Sequence, residues 1–145
     1  MLDNVQKDGQ FGEMKSNFFY KDDRPELIDI ANFIRSMFPQ VKVKIELFAF
    51  FNEDGTFDRF SKKVMNGNTQ RYRHPDLTLF VNKKFLCCVE IDGRVHDVKI
   101  DDTDKRNKEY ADAGVDLLVV NKAEVKLNNT NIFEFIEAEL SKRLN

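Results

Sequence analysis

The sequence predicts an α/β domain, α+β if sheet pairing is counted strictly, in which helices flank a central mixed sheet of four to five strands. The 145 residues, 41% hydrophobic and 33% charged, are typical of one globular domain, so we expect residues 1–145 to form a single unit. Apolar residues recur at helical spacing in segments that are separated by runs of strand length. A helix between the last two strands predicts that these two strands are parallel.

The first helix is predicted to begin at Asp23, which suits an N-cap, and to end before Pro39. Apart from Phe18, Phe19 and Tyr20, residues 1–22 are polar and have no periodicity, so we expect an N-terminal arm there. Within the helix, apolar residues recur every three or four positions, at Leu27, Ile30, Ala31, Ile34 and Phe38.

The strands of the first half are predicted from alternation and from the turns between them. Residues 41–47 alternate apolar and polar side chains, as a half-buried strand does. A turn at 52–55 leads to a short strand at 57–60, and a polar loop follows at 66–70.

The second half is predicted to form a hairpin, a helix, a strand and a closing helix. Residues 77–81 and 85–91 flank a short turn and form the hairpin. A helix over 103–113 stops at Gly114, and a buried strand follows at 117–120. The closing amphipathic helix carries its apolar face on Ile132, Phe133, Ile136, Leu140 and Leu144.

The lengths of the apolar runs and the first residues of the chain argue against a membrane-spanning or secreted protein. Apolar runs such as 47–51 are far shorter than the ~20 residues that a membrane-spanning helix needs. Residues 1–7 lack the apolar stretch of a secretory signal, so we expect a cytoplasmic protein with no membrane partner. Cys87 and Cys88 are adjacent in a strand and point to opposite faces, which indicates buried, reduced thiols.

Three carboxylates occupy the ends of the two hairpin strands. Asp76 opens the first strand, and Glu90 and Asp92 close the second on one face, roughly 6–7 Å apart. Antiparallel pairing brings these ends to the same edge, where like charges repel unless a cation lies between them. Carboxylate oxygens suit Mg²⁺, or Mn²⁺ as a substitute, so we expect a metal site formed by Asp76, Glu90 and Asp92.

His96 follows four residues after Asp92 and is one of two histidines in the chain. It is close enough in sequence to reach the same edge, where it would act as a proton donor or a metal ligand. An exposed loop histidine without a function is the alternative.

Three segments carry a resemblance to a known family. They are Arg-His-Pro-Asp-Leu-Thr-Leu-Phe at 73–80, Val-Glu-Ile-Asp-Gly-Arg-Val-His at 89–96, and a helical segment at 102–114 that ends in Gly. In this order and spacing, the chain resembles the PD-(D/E)XK nuclease superfamily, and within it the branch similar to very-short-patch repair endonucleases. The resemblance implies a restriction-endonuclease-like αβββαβ core and a metal-dependent phosphodiester hydrolase.

The resemblance also implies roles for individual residues. Asp76 and Glu90 become metal ligands, while Asp92 stands where the wider superfamily has the Lys of a Glu-x-Lys segment. Asp92 and His96 would then do the work of that lysine. The other candidates are Glu26 on the first helix and, on the later helix, Asp102 or Asp104 with Arg106. The alternative for Glu26 is a first-turn glutamate that favours the helix dipole, and the alternative for the later helix is a set of solvated helix-face charges.

The segment 59–75 contains five basic residues and no acidic residue, directly before Asp76. Basic side chains delivered to a carboxylate–metal edge are suited to binding a phosphate backbone. We therefore expect a nucleic-acid-binding surface formed by Arg59, Lys62, Lys63, Arg71 and Arg73.

These observations favour a Mg²⁺-dependent DNA endonuclease. The alternative is an inactive nuclease-fold module that binds nucleic acid or a protein partner, because the motif lysine is missing. Duplex, structured and single-stranded DNA, and RNA, all stay open as substrates. Cutting both strands of a duplex needs two active sites, so a homodimer stays open as well.

Overall fold

The structure is a computed structural model that describes residues 24–92 and 100–145. None of the helices within these ranges is long and apolar enough to cross a membrane. In chain order the elements are α1 (Arg24–Met37), β1 (Val41–Lys44), β2 (Phe48–Phe51), β3 (Phe57–Ser61), β4 (Arg71–Arg73), β5 (Leu77–Val81), β6 (Lys84–Asp92), α2 (Ile100–Asp112), β7 (Leu117–Asn121), α3 (Lys122–Leu127) and α4 (Ile132–Leu144).

The chain divides into two compact units, Met1–Asn32 and Phe33–Asn145. The first unit includes the start of α1, in which Leu27, Ile30 and Ala31 are buried as predicted. The predicted N-terminal arm, residues 1–22, lies outside the described residues. Every contact described below lies within the second unit.

The larger sheet has four strands in the order β1-β5-β6-β7. β1, β5 and β6 are antiparallel neighbours, and β7 is parallel to β6 after the crossover through α2. The predicted mixed sheet and α+β class are therefore confirmed. If the strands of the smaller sheet are set aside, the chain order from α1 to β7 is α, β, β, β, α, β.

The single strand predicted over 41–47 is wrong in its length. β1 ends at Lys44, and the chain starts a new strand, β2, at Phe48 in a different sheet. In the register of the β1–β5 pairing, a longer β1 would place Glu46 opposite Asp76. Directly opposed like charges destabilise an antiparallel pair, which accounts for the early end of β1.

The smaller sheet has three antiparallel strands in the order β3-β2-β4. The short strand predicted at 57–60 belongs to this sheet and not to the larger one. β4, at 71–73, was not predicted, because its sequence Arg-Tyr-Arg has no apolar alternation. The inner face of the small sheet contributes Ala49 and Phe51 to a buried cluster with Cys88, Tyr110 and Val115.

The remaining elements follow local signals in the sequence. The hairpin turn places Asn82 and Lys83 at φ 53° and 68°, as the two central positions of a type I′ turn require. Gly114, at φ 74°, ends α2, and Val115 N donates back to Tyr110 O at 2.9 Å. Asn131 caps α4 through a reciprocal capping box with Glu134. α3 was not predicted.

Candidate active site at the end of the hairpin

The hairpin brings Asp76 and Glu90 together at one edge of the larger sheet. Leu77 lies opposite Val89, so the residues just beyond them, Asp76 and Glu90, are neighbours as well. Asp76 Oδ2 accepts a hydrogen bond from Ile91 N at 2.8 Å, which holds this carboxylate against the end of β6. The register therefore places the carboxylates of Asp76 and Glu90 at the same end of the hairpin, where the charge of Asp76 acts on Glu90.

Glu90 is among the most buried charged residues in the part of the chain that the structure describes, with 9% of its surface exposed. Burial raises the pKa of Glu90 well above its ordinary value, and the negative charge of Asp76 raises it further. Arg106 acts in the opposite direction. Asp76 and Glu90 therefore repel each other when both are ionised, and a proton on one of them or a bound cation would reduce this repulsion.

Asp92 and Arg106 form a bidentate ion pair beside these carboxylates. Arg106 Nη1 and Nη2 donate to the two oxygens of Asp92, each at 3.1 Å, and both side chains are largely buried. Arg106 Nη1 also lies 3.9 Å from Glu90 Oε1. Since both oxygens of Asp92 accept from the guanidinium, Asp92 holds Arg106 in place against Glu90.

The donor set of this edge fits a hard divalent cation. Asp76 and Glu90 offer carboxylate oxygens, and Mg²⁺ commonly uses one or two carboxylates while water and substrate phosphate complete its shell. Within residues 24–92 and 100–145, no three Asp, Glu, His or Cys side chains come together as a metal-binding group. Among the described residues, Asp76 and Glu90 are the two carboxylates that the hairpin register brings together at this edge.

The other predicted site residues have different positions. His96 lies outside the described residues. Glu26 is half-buried in the first turn of α1, in the first unit. On α2, Asp102 and Asp104 are exposed, so Arg106 is the residue of this helix that contacts the carboxylates.

The five basic residues of the segment 59–75 do not form one surface. In the small sheet, Arg59 lies opposite Phe50, while Arg71 and Arg73 lie opposite Phe51 and Ala49 on the other face. Arg59 stacks over the Phe50 ring, 4.2 Å from its centroid, and pairs with Asp58. Lys62 and Lys63 are exposed just after β3.

Glu109 on α2 is a central residue that the sequence did not single out. Arg71 Nε and Nη2 donate to its two oxygens at 2.7 and 3.1 Å, and Arg73 Nε donates to the same carboxylate. Partial burial would raise the pKa of Glu109, but the hydrogen bonds from both arginines outweigh it and lower the pKa. The sequence signal was its position three residues after Arg106, on the same helix face.

The chain was compared with protein-family models, with characterised proteins and with solved structures, and none of them matches it.

Proposed function

We propose that this protein is a metal-dependent nuclease that hydrolyses phosphodiester bonds in DNA at the edge formed by Asp76 and Glu90. The observation that carries the proposal is the buried carboxylate of Glu90, which lies beside a second carboxylate, Asp76, at the end of the hairpin. Such an arrangement costs stability in a metal-free protein, since like charges are held together away from water. A bound cation would attract both carboxylates and so offset this cost.

Asp76 and Glu90 would hold the metal. When bound, Mg²⁺ would polarise the scissile phosphate and lower the pKa of an attacking water. Asp76 is suited to this role because Ile91 N fixes one of its oxygens and so reduces its freedom.

Arg106 and Asp92 would position and neutralise the substrate phosphate. Arg106 lies within 3.9 Å of Glu90 and supplies the cation that the missing motif lysine would otherwise provide. Asp92 would act as a positioning residue, since both its oxygens engage Arg106. His96 would act as the proton donor to the leaving oxygen or as a further metal ligand, the two roles expected from the sequence.

A second function is favoured by one specific observation, the closed pair between Asp92 and Arg106. If Arg106 is held there permanently, it neutralises the carboxylates by itself, and the domain would bind nucleic acid or a protein without cleaving it. In that case, added Mg²⁺ would neither stabilise the protein nor produce cleavage.

The test is cleavage of supercoiled plasmid and of single-stranded DNA with Mg²⁺, with Mn²⁺ and with EDTA. We expect cutting with either metal and none with EDTA. Asp76→Asn and Glu90→Gln should each slow cutting by at least ~100-fold, because an anionic ligand of the metal becomes neutral. Asp29→Asn, an exposed aspartate of α1, is the matched control and should cut normally. Metal-independent products, or none at all, would contradict the proposal.

A further inference from the structure

A cleft of about 310 Å³ lies between β4 and α2, and its polar lining is strongly charged. Four of its lining side chains are cationic and two are anionic, in a chain whose net charge is −2. The cleft is therefore locally positive although the chain as a whole is slightly negative. The charged lining residues are Arg71, Arg73, Lys105, Lys108, Glu109 and Asp112.

Glu109 organises the two arginines without using all their donors. Arg71 places Nε and Nη2 on Glu109, which leaves Nη1 available, and 57% of its side chain is exposed. A guanidinium has five N–H donors in a rigid fork, so one carboxylate does not saturate two of them. Glu109 thus fixes Arg71 and Arg73 side by side with donors to spare.

The two lysines extend this cationic surface along α2. Lys105 is exposed and forms no ion pair with any residue in the described ranges, and Lys108 pairs with Asp112 in an exposed contact at 3.1 Å. Exposed pairs of this kind are weak and are readily exchanged for another anion. Two lysines and two arginines therefore surround one open space.

Both chain segments that line the cleft, α2 and β4, also lead to residues of the candidate active site. Arg106 and Glu109 are three residues apart on α2, which corresponds to a rise of about 4.5 Å along the helix axis. Arg73 is separated from Asp76 by two residues. A DNA strand whose scissile phosphate lies at Asp76 and Glu90 would therefore have its neighbouring phosphates close to the cleft.

We propose that this cleft binds backbone phosphates next to the scissile one, with Lys105 and Lys108 as phosphate-binding residues and Glu109 as the residue that positions Arg71 and Arg73. That the ligand is a DNA strand undergoing cleavage rests on the proposed nuclease function. Phosphate binding itself rests on the geometry and charge of the cleft alone.

The test is binding of a fluorescein-labelled 20-nucleotide DNA, single-stranded and duplex, measured by anisotropy in EDTA over a range of salt concentrations. For the double variant Lys105→Ala/Lys108→Ala on duplex DNA, the slope of the logarithm of the binding constant against the logarithm of the salt concentration should become smaller by about two. Its Kd at 0.1 M salt should rise on the order of 10- to 100-fold. Lys105→Arg/Lys108→Arg should keep the wild-type slope.

The matched control is Lys126→Ala/Lys142→Ala, which removes two exposed helix lysines elsewhere; Lys142 has an intrahelical partner, as Lys108 does. This control should keep the wild-type slope. An unchanged slope for Lys105→Ala/Lys108→Ala, or the same loss in the control, would overturn the inference. Binding of inorganic pyrophosphate through Lys105 and Lys108 without any DNA binding would overturn the assignment to a strand.

The two proposals can fail separately. If the wild type binds DNA through the cleft but never cleaves it, the nuclease proposal fails and the cleft assignment stands. If metal-dependent cutting occurs while the cleft variants bind and cut normally, the cleft assignment fails and the nuclease proposal stands.

Discussion

At the scale of single residues, Glu90 is the side chain whose surroundings oppose its charge most strongly. Its pKa is raised by burial and then by Asp76, so the folded protein holds this proton more tightly than the unfolded chain does. Folding stability is therefore lost as the pH rises from the ordinary glutamate value of 4.5 towards the raised folded value. The loss from this group is about 1.4 kcal/mol per pH unit across that window.

We therefore predict that Glu90→Gln stabilises the metal-free protein at pH 7 while it removes cleavage. The amide resembles the protonated acid and avoids the cost of deprotonation. The gain should shrink as the pH falls and disappear well below 4.5, where the glutamate is protonated in both the folded and the unfolded state. Urea denaturation in EDTA at several pH values measures this. Glu137→Gln, on an exposed part of α4, should show no gain; a destabilised Glu90→Gln would contradict the assignment of repulsion at this edge.

The two cysteines show a residue-scale prediction that succeeded. Both are free and buried, on opposite faces of β6, and burial raises the pKa of Cys87 to about 12. Alternation along a strand is a local property, which is why the sequence alone placed them.

At the scale of elements, α2 is tied to β4 by Glu109 and to the end of β6 by Arg106. The pKa of Glu109 is lowered, so its contribution to stability is complete above pH 4.5 and is lost as the pH falls through the folded value. α2 should therefore loosen from the small sheet in acid.

We predict that Glu109→Gln lowers the free energy of unfolding at pH 7 by about 1–2 kcal/mol, because two arginines lose a charged acceptor. The deficit should shrink as the pH falls from 4.5 through the lowered folded value, because the wild-type carboxylate then becomes protonated as well. Asp112→Asn breaks the exposed pair with Lys108 on the same helix and should cost almost nothing. Equal losses in the two variants would show that Glu109 does not tie α2 to β4.

The hairpin between β5 and β6 offers a prediction about backbone strain. Lys83 has φ 68°, a conformation that costs a residue with a Cβ about 1–2 kcal/mol and costs glycine almost nothing. After the extra entropy of glycine in the unfolded chain, Lys83→Gly should stabilise the protein by roughly 0.5–1 kcal/mol. Lys84→Gly, at the first residue of β6, should destabilise it, and thermal melting distinguishes the two. A destabilised Lys83→Gly would exclude a type I′ turn.

At the scale of the whole molecule, metal binding and folding are linked through the candidate active site. A ligand that binds the folded state at 100 times its Kd adds about 2.7 kcal/mol of stability. For a domain of this size that corresponds to roughly 5–10 °C in Tm. We predict this rise for the wild type in saturating Mg²⁺ or Mn²⁺, and its loss in Asp76→Asn. Scanning calorimetry measures both, and equal Tm values with metal and with EDTA would favour the non-catalytic module.

The sequence alone determined what depends on neighbouring residues. The apolar spacing of α1 and α4, the hairpin, the end of α2 at Gly114 and the shared edge of Asp76 and Glu90 all follow from local periodicity and turn chemistry. These signals act within a few residues, so they can be read without the rest of the chain.

Tertiary structure decided the features that join distant parts of the chain. Arg71 and Arg73 meet Glu109 across 38 and 36 residues, and Arg106 meets Asp92 across 14. The sequence predicted that the basic segment forms one surface. In the structure, alternation along the strands of the small sheet, which was not predicted, places Arg59 and Arg71 on opposite faces. The partner of a charge depends on the register and on helix placement, and no local pattern encodes either, because both are set by how the whole core packs.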